Sequence, residues 1–195
     1  MRHSHPVSGI DRKVAMLNPI LIALGGNMAS PNGPPAATLR AALRIMPAFG
    51  IRVDAVAPFY STPAMAAYAQ PDYVNSVALI EAADTPQSLL DKLHRIEALF
   101  GRVRRERWAP RPLDLDLLDF RGEVVPARGA RGRDAGVGPL PLALPHPGIA
   151  ARAFVLLPLR DVAPGWRHPV TGRSVGELIA ALPERDVAAI RLNKG

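Results

Sequence analysis

The sequence contains no cysteine. Disulfide bonds, thiolate zinc sites, iron–sulfur clusters and cysteine nucleophiles are therefore all excluded. Carboxylates and histidines remain as the only strong metal ligands among the side chains. Any metal chemistry in this chain must depend on oxygen and imidazole donors.

Long hydrophobic runs are also missing. The longest, at residues 20–24 and 154–159, are far shorter than the roughly 20 residues that span a bilayer. Residues 1–17 carry Arg2, Arg12 and Lys13 but lack the apolar stretch of a secretory signal. We therefore expect no membrane-spanning segment, a flexible N-terminal extension over residues 1–17, and a cytoplasmic protein.

Lysine is scarce as well: the only lysines are Lys13, Lys92 and Lys194. Arginine therefore supplies nearly all of the positive charge behind the formal net charge of +7. Arginine suits phosphate, since its planar guanidinium contacts two oxygens at once. A phosphorylated partner, either a nucleic acid or a nucleotide, is the first hypothesis. A compositional bias of the whole proteome is the alternative, so the positions of the arginines must decide.

The spacing of apolar residues predicts a mixture of strands and helices. Strands are predicted over residues 20–24, 51–59, 73–81, 113–120 and 154–159. Helices are predicted over residues 34–46, 86–100 and 175–182. Thr85 caps the second of these helices, and Gly101 ends it.

The order of the first six elements is strand, helix, strand, strand, helix, strand. It is typical of an α+β, ferredoxin-like βαββαβ core, in which helices pack on one face of an antiparallel sheet. An extra C-terminal strand at residues 154–159 and a short helix follow this core. Residues 126–141, which are rich in glycine and arginine, are predicted to form a surface loop insertion. No linker divides the remainder, so we expect one domain over residues 18–195.

Two aspartates alternate with leucines at residues 113–117. Side chains alternate along a strand, so Asp114 and Asp116 project from one face, about 7 Å apart, while the leucines pack on the other. Paired carboxylates with no basic residue between them form an oxygen site suited to magnesium. The alternative is the solvent-facing edge of an amphipathic strand.

Arginines are concentrated just before these aspartates. Five of the ten residues from 102 to 111 are arginine, and Glu106 is the single carboxylate among them. A magnesium-bound polyphosphate needs such a pair of clusters, because the acids bind the metal and the arginines bind the remaining phosphate charge. A surface ion-pair network is the structural alternative. No Gly-x-x-x-x-Gly-Lys-Ser/Thr loop occurs, so phosphate binding must rely on arginine and metal.

Seven short motifs resemble those of one known family and occur in the same order. They are Ala23-Leu24-Gly25-Gly26-Asn27, Tyr60-Ser61-Thr62-Pro63, Gln70-Pro71-Asp72-Tyr73-Val74-Asn75, Gly101-Arg102-Val103-Arg104, Glu106-Arg107-Trp108-Ala109-Pro110-Arg111, Leu113-Asp114-Leu115-Asp116 and Leu144-Pro145-His146-Pro147. Through them the chain resembles the 6-hydroxymethyl-7,8-dihydropterin pyrophosphokinases of folate biosynthesis. The resemblance covers residues 20–182, and the Arg-Trp motif followed by Asp-Leu-Asp is its most specific part.

The resemblance implies an ATP-dependent diphosphotransferase. Such an enzyme transfers pyrophosphate from ATP to the hydroxymethyl group of 6-hydroxymethyl-7,8-dihydropterin and releases the pterin diphosphate and AMP, in tetrahydrofolate biosynthesis. It implies two Mg²⁺ ions bound with ATP, and ATP and the pterin as partners. We expect a monomer with no nucleic-acid or membrane partner.

The same resemblance assigns roles to individual residues. It implies that Asp114 and Asp116 bind the metal ions and that Arg102 and Arg111 are catalytic. The implied ATP-binding residues are Glu97, Arg104, Arg107, Trp108, Leu117, His146 and Arg152. The implied pterin-binding residues are Thr62, Pro63, Met65, Tyr73, Asn75 and Phe154, of which Tyr73 and Phe154 stack on the two sides of the ring.

Two alternatives remain at this point. An RNA-binding ferredoxin-like module fits the fold and the charge, although the Lys/Arg-Gly-Phe/Tyr signature of that class is absent. A noncatalytic nucleotide-binding module would share the same pocket. The chain also departs from the family pattern at Gly26, usually serine, and at Pro112, usually threonine or isoleucine.

Overall fold

The computed structural model describes residues 19–64, 70–102, 110–126 and 141–194. Its strands are β1 (Ile20–Gly26), β2 (Arg52–Val56), β3 (Tyr60–Thr62), β4 (Tyr73–Glu81), β5 (Asp114–Phe120) and β6 (Arg191–Leu192). Its α-helices are α1 (Pro35–Ile45), α2 (Pro86–Leu99), α3 (Ala153–Val162), α4 (Val175–Ala180) and α5 (Glu184–Ala188). The predicted N-terminal extension and residues 127–140 of the predicted insertion lie outside the described residues.

The strands form one antiparallel sheet in the order β5-β1-β4-β3-β6. β2 and β3 pair with successive parts of the same edge of β4. The strand predicted over residues 51–59 is therefore shorter than expected, and β2 ends at Val56. A register shift between Val53 and Ala55 interrupts its pairing with β4.

Helices cover both faces of the sheet. α1 and α2 bury residues such as Leu39, Leu89 and Leu93 in a first core, on one face. α3 and α4 bury Leu156 and Leu178 in a second core that also contains Leu21 of β1 and Val77 of β4. The expected antiparallel sheet with helices packed on it is confirmed, but the helices cover two faces rather than one.

The strand predicted over residues 154–159 is wrong, because this segment belongs to α3. A short, continuous apolar run is compatible with a buried strand or a buried helix, and its periodicity cannot separate the two. Val155, Leu156 and Leu159 bury in the second core at helical spacing. Phe154, predicted on this strand, thus lies in the first turn of a helix.

Local capping explains where two helices begin. The Thr85 hydroxyl accepts a hydrogen bond from the Ser88 N–H at the start of α2, as the sequence predicts. Ser174 and Glu177 form a reciprocal capping box at the start of α4. The short helix predicted over residues 175–182 is confirmed as α4.

A bulge in β5 changes which way its side chains point. Leu21 lies opposite Asp119 and Ile22 opposite Leu117, so Leu118 has no direct partner in β1. Asp119 accepts hydrogen bonds from the Trp166 indole and the Gly122 N–H, both 2.8 Å long. The Trp166 bond joins β5 to the segment between α3 and α4, and the Gly122 bond closes the turn that follows β5.

Within the described ranges, no helix is long and apolar enough to cross a membrane.

Candidate active site

The two predicted metal ligands lie on the face of the sheet that carries the second core. Asp116 is opposite Ala23 of β1, and Ala23 packs against that core. Asp114 is opposite Gly25, which also lies opposite Asn75 of β4. Residues directly opposite each other in a sheet share a face, so both carboxylates and the Asn75 amide lie on one surface.

Gly25 keeps this surface open between Asp114 and Asn75. A Cβ atom at position 25 would lie 2.9 Å from Asn75 Oδ1 and 4.0 Å from the Asp114 Cβ. A side chain here would collide with the amide and fill the space between the two polar groups. The glycine therefore leaves room for a ligand to approach the backbone of β1.

The two predicted catalytic arginines both bond to Asp114. Arg111 donates from Nη1 to Oδ2 of Asp114, 2.8 Å away. Arg102 donates from its Nη1 to the other oxygen of Asp114 and to Oε1 of Glu97. Glu97 is only 1% exposed, and its Oε1 also accepts the Leu115 N–H at 2.7 Å. A continuous chain of charges thus runs from α2 to β5.

The end of α2 brings Arg102 to this position. Phe100 ends the helix and Gly101 follows with φ 81°, a backbone conformation that glycine adopts without strain. The backbone N–H of Arg102 then bonds back to the Glu97 carbonyl at 3.1 Å. The predicted helix-ending role of Gly101 is confirmed.

Charge and burial act against each other at the two aspartates. Burial, followed by the neighbouring Asp114 carboxylate, raises the pKa of Asp116 to about 6, although Arg152, Arg102 and Arg111 oppose this rise. Burial alone would lower the pKa of Arg111, but the Asp114 carboxylate and an interaction with Tyr73 outweigh it, so the pKa is raised. A cation beside Asp116 would relieve the unfavourable negative charge.

The donor set fits magnesium bound together with phosphate. In the described part of the chain, no group of three or more histidine, aspartate or glutamate side chains could hold a metal on its own. Mg²⁺ commonly takes one or two carboxylates and completes its coordination with water and substrate phosphate. Asp114 and Asp116 supply that number of carboxylates on one face of β5.

His146 borders the site from the outer side of β5. The backbone N–H of His146 donates to the Leu118 carbonyl at 2.8 Å. The ring Nδ1 of His146 accepts the backbone N–H of Gly148 at 3.0 Å. Burial, followed by the charge of Arg152, lowers the pKa of His146 to about 4. A neutral imidazole that accepts at Nδ1 carries its proton on Nε2, so His146 offers one hydrogen-bond donor.

Arg152 lies near both His146 and Asp116. Its charge affects the pKa of both His146 and Asp116. The guanidinium lies 5.8 Å from the centre of the Phe154 ring and packs against Gly148, where a Cβ would come within 2.7 Å of it. The start of α3 thus brings a cation and an aromatic ring to the site.

The predicted pterin-binding residues meet where β3 pairs with β4. Asn75 donates from Nδ2 to the Thr62 hydroxyl at 2.9 Å, and Thr62 lies opposite Tyr73 in the sheet. Pro63 follows directly and is exposed. Tyr73 interacts with the Arg111 guanidinium, so this group is connected to the arginine–aspartate cluster.

Several predicted residues do not join this arrangement. Leu117 is 3% exposed and packs in the first core, on the face of β5 opposite to the aspartates. Met65, Arg104, Arg107 and Trp108 lie outside the described residues.

Asn27 is a residue of the site that the sequence analysis did not identify. Its motif was recognised in the sequence, but no role was assigned to it. Its position directly after a buried strand is the signal that a buried polar contact was possible there.

A protein-family model matches most of this chain. The model for 7,8-dihydro-6-hydroxymethylpterin-pyrophosphokinase (HPPK) matches residues 21–164. This chain belongs to the HPPK family. The resemblance seen in the seven sequence motifs is confirmed, and the match does not favour the RNA-binding or noncatalytic alternatives.

Relatives named 2-amino-4-hydroxy-6-hydroxymethyldihydropteridine pyrophosphokinase agree with the HPPK assignment. The protein from Pseudomonas aeruginosa is 40% identical over 169 residues, which cover 86% of this chain and 94% of the relative. The protein from Synechocystis sp. is 36% identical over 160 residues, covering 82% and 73%.

Solved structures support the fold. A Plasmodium falciparum HPPK-DHPS crystal structure with SDX-DHP superposes with a TM-score of 0.58 at 14% sequence identity. The match covers 84% of this chain but 43% of that one. This chain therefore has an HPPK-like fold and spans less than half of the matched protein.

Proposed function

We propose that the chain transfers pyrophosphate from ATP to 6-hydroxymethyl-7,8-dihydropterin, giving the pterin diphosphate and AMP, in tetrahydrofolate biosynthesis. The observation that carries the proposal is the bonding of Arg102 and Arg111 to Asp114, beside Asp116 on the same face. Acids for a metal and arginines for a polyphosphate are thus adjacent, as phosphoryl transfer requires.

In the proposed reaction the hydroxymethyl oxygen of the pterin attacks the β-phosphorus of ATP. A new oxygen–phosphorus bond forms, the bond from the β-phosphorus to the α,β-bridging oxygen breaks, and AMP leaves with that oxygen. The hydroxyl proton passes to solvent or to a nearby base. Asp114 and Asp116 would hold the two Mg²⁺ ions that are predicted to bind with ATP, and these ions would supply positive charge to the phosphate oxygens.

The side chains of the protein orient the substrates. Arg102 and Arg111 exchange their bonds to Asp114 for bonds to the transferring phosphates, where negative charge develops. Glu97, His146 and Arg152 border the nucleotide, and the Nε2–H of His146 is free of the Gly148 bond that occupies Nδ1. Arg104, Arg107, Trp108 and Leu117 stay predicted nucleotide contacts.

The pterin is proposed to lie beside the Asn75 amide. Thr62, Pro63, Tyr73 and Phe154 complete this half of the site, with Met65 as a further predicted contact. The Asn75 side chain is already oriented by its bond to Thr62, so little conformational freedom is lost on binding. The predictions that the protein is monomeric and cytoplasmic, without nucleic-acid or membrane partners, also stay predictions.

A single incubation tests the proposed reaction. The purified protein is mixed with magnesium, ATP and 6-hydroxymethyl-7,8-dihydropterin, and the adenine nucleotides are then separated. AMP formed in step with pterin diphosphate supports pyrophosphoryl transfer. ADP would indicate an ordinary kinase and contradict the proposal, and binding of ATP without any product would favour the noncatalytic alternative.

A further inference from the structure

Asn27 lies directly after β1 and is 2% exposed. Its backbone N–H donates to the Arg111 carbonyl at 3.0 Å, and its side-chain Oδ1 accepts the Arg111 N–H at 2.9 Å. Both backbone polar groups of Arg111 therefore bond to one residue that is 84 positions away. Asn27 fixes the backbone from which the Arg111 guanidinium reaches Asp114.

The other end of the Asn27 amide bonds to a second segment. Its Nδ2 donates to Gln70 Oε1 at 3.2 Å and to the Pro71 carbonyl at 3.3 Å. Pro71 lies two residues before Tyr73, the first residue of β4. The same side chain thus contacts the start of the strand that carries the predicted pterin-binding residues Tyr73 and Asn75.

Only an amide can make this set of contacts at this length. An aspartate could accept the Arg111 N–H but could not donate to Pro71, and an alanine could do neither. The neighbouring backbone is also closely packed. A Cβ atom at Gly26 would lie 2.4 Å from the carbonyl oxygen of Pro112. The end of β1 therefore packs directly against Pro112, the residue that follows Arg111.

We propose that Asn27 is a positioning residue that sets the spacing between the arginine–aspartate half of the site and the strand that carries Tyr73 and Asn75. This inference rests on the proposed function, since that reaction requires two substrates to be aligned across the two halves. A misplacement of about 1 Å in such a site costs on the order of a hundredfold in rate.

The test compares Asn27→Ala with a matched control, Ser76→Ala. Ser76 is also buried and donates its hydroxyl to a backbone carbonyl, that of Ala57 at 2.9 Å, but it faces away from the site. Asn27→Ala loses three side-chain hydrogen bonds and Ser76→Ala loses one, so both variants lose stability. AMP formation is measured with each substrate varied in turn, and thermal unfolding is recorded in parallel.

We expect Asn27→Ala to lower kcat/KM for the pterin by about a hundredfold, while Ser76→Ala stays within about twofold of the wild type. Asn27→Asp serves if Asn27→Ala does not fold, because it keeps the acceptor for Arg111. It loses the donor to Pro71, so we expect KM for the pterin to rise about tenfold with little change in KM for ATP.

The outcomes separate this inference from the proposed function. An active wild type with an Asn27→Ala variant that loses no more kcat/KM than Ser76→Ala would overturn the role of Asn27 alone. In the Asn27→Asp variant, an equal rise in both KM values would also overturn it. A wild type that forms no AMP would overturn the proposed function, and the inference with it.

Discussion

Arg111 and Asp114, three residues apart, form an ion pair with 2.8 Å between Nη1 and Oδ2. The second carboxylate oxygen of Asp114 accepts from Arg102. Both oxygens of a predicted metal ligand are thus bonded to the two predicted catalytic arginines. Under the proposed function, binding of magnesium and ATP would exchange these bonds, so that Asp114 would bind the metal and the two guanidiniums would bind the phosphates.

Asp114→Asn should nearly abolish AMP formation. The substitution removes the negative charge that a cation needs, and we expect activity to fall by at least about a hundredfold. Magnesium is titrated at saturating ATP and pterin to separate weaker metal binding from slower chemistry. Asp91→Asn is the control, because Asp91 is an exposed carboxylate on α2 that bonds to Gln87. A normal magnesium dependence in Asp114→Asn would refute the assignment.

Arg111→Lys keeps the charge but should still lower kcat by about a hundredfold. A lysine ammonium cannot reproduce the planar guanidinium that contacts Asp114 and Tyr73 and is proposed to contact phosphate. Initial rates at saturating substrates give kcat directly. Arg52→Lys, at an exposed ion pair with Asp54, should leave kcat unchanged. Equal kcat values for both variants would show that position 111 needs only a positive charge.

The half-buried His146 should make the protein less stable in acid. Its pKa is about 4 in the folded protein and 6.5 ordinarily, so below pH 6.5 the unfolded chain takes up a proton that the folded protein does not. Its contribution to stability is therefore lost as the pH falls from about 6.5 towards about 4. The asparagine side chain does not titrate. The His146→Asn variant should therefore lose less stability than the wild type as the pH falls over this range.

Denaturant unfolding of both proteins at about pH 7.5 and about pH 5 measures this difference, which we expect to be on the order of 2 kcal/mol. The raised pKa of Asp116 acts in the opposite sense below about pH 6, but it is present in both proteins and cancels in the comparison to first order. The same loss of stability in wild type and His146→Asn would contradict the prediction.

Gly26→Ala should destabilise the protein by about 1–3 kcal/mol, because the new Cβ would lie 2.4 Å from the Pro112 carbonyl oxygen. Backbone must move to accept it, and Pro112 joins Arg111 to the strand of Asp114, so activity should fall as well. Gly176→Ala is the control, since no atom lies within 4 Å of its added Cβ. Unfolding midpoints and AMP formation are measured for both. Equal stability in the two variants would contradict the close contact.

Strong local signals made much of the site predictable. Alternation along residues 113–117 placed Asp114 and Asp116 on one face of a strand, and Thr85 and Gly101 marked the ends of α2. The strand predicted over residues 154–159 was wrong because every residue in this segment is apolar. Such a segment shows no periodicity that could separate a helix from a strand.

Contacts between distant segments could not be predicted in this way. The bonds of Asn27 to Arg111 join backbone that is far apart in the chain, and no spacing rule encodes such a contact. The bulge at Leu118 depends on the partner strand as well as on β5 itself. Two departures from the family pattern, Gly26 and Pro112, became meaningful only when the structure brought them into contact.

β5 is the outermost strand on its side of the sheet, and an open strand edge is a template on which another chain can add a strand. Here the Leu115 N–H is bonded by Glu97, and the Leu118 carbonyl is bonded by His146. Two residues proposed to serve the nucleotide thus also occupy the backbone groups that intermolecular sheet growth would use. At Glu97 the bond is made by the side chain, so one carboxylate would serve both the nucleotide and the protection of the edge, whereas the bond from position 146 comes from the backbone N–H.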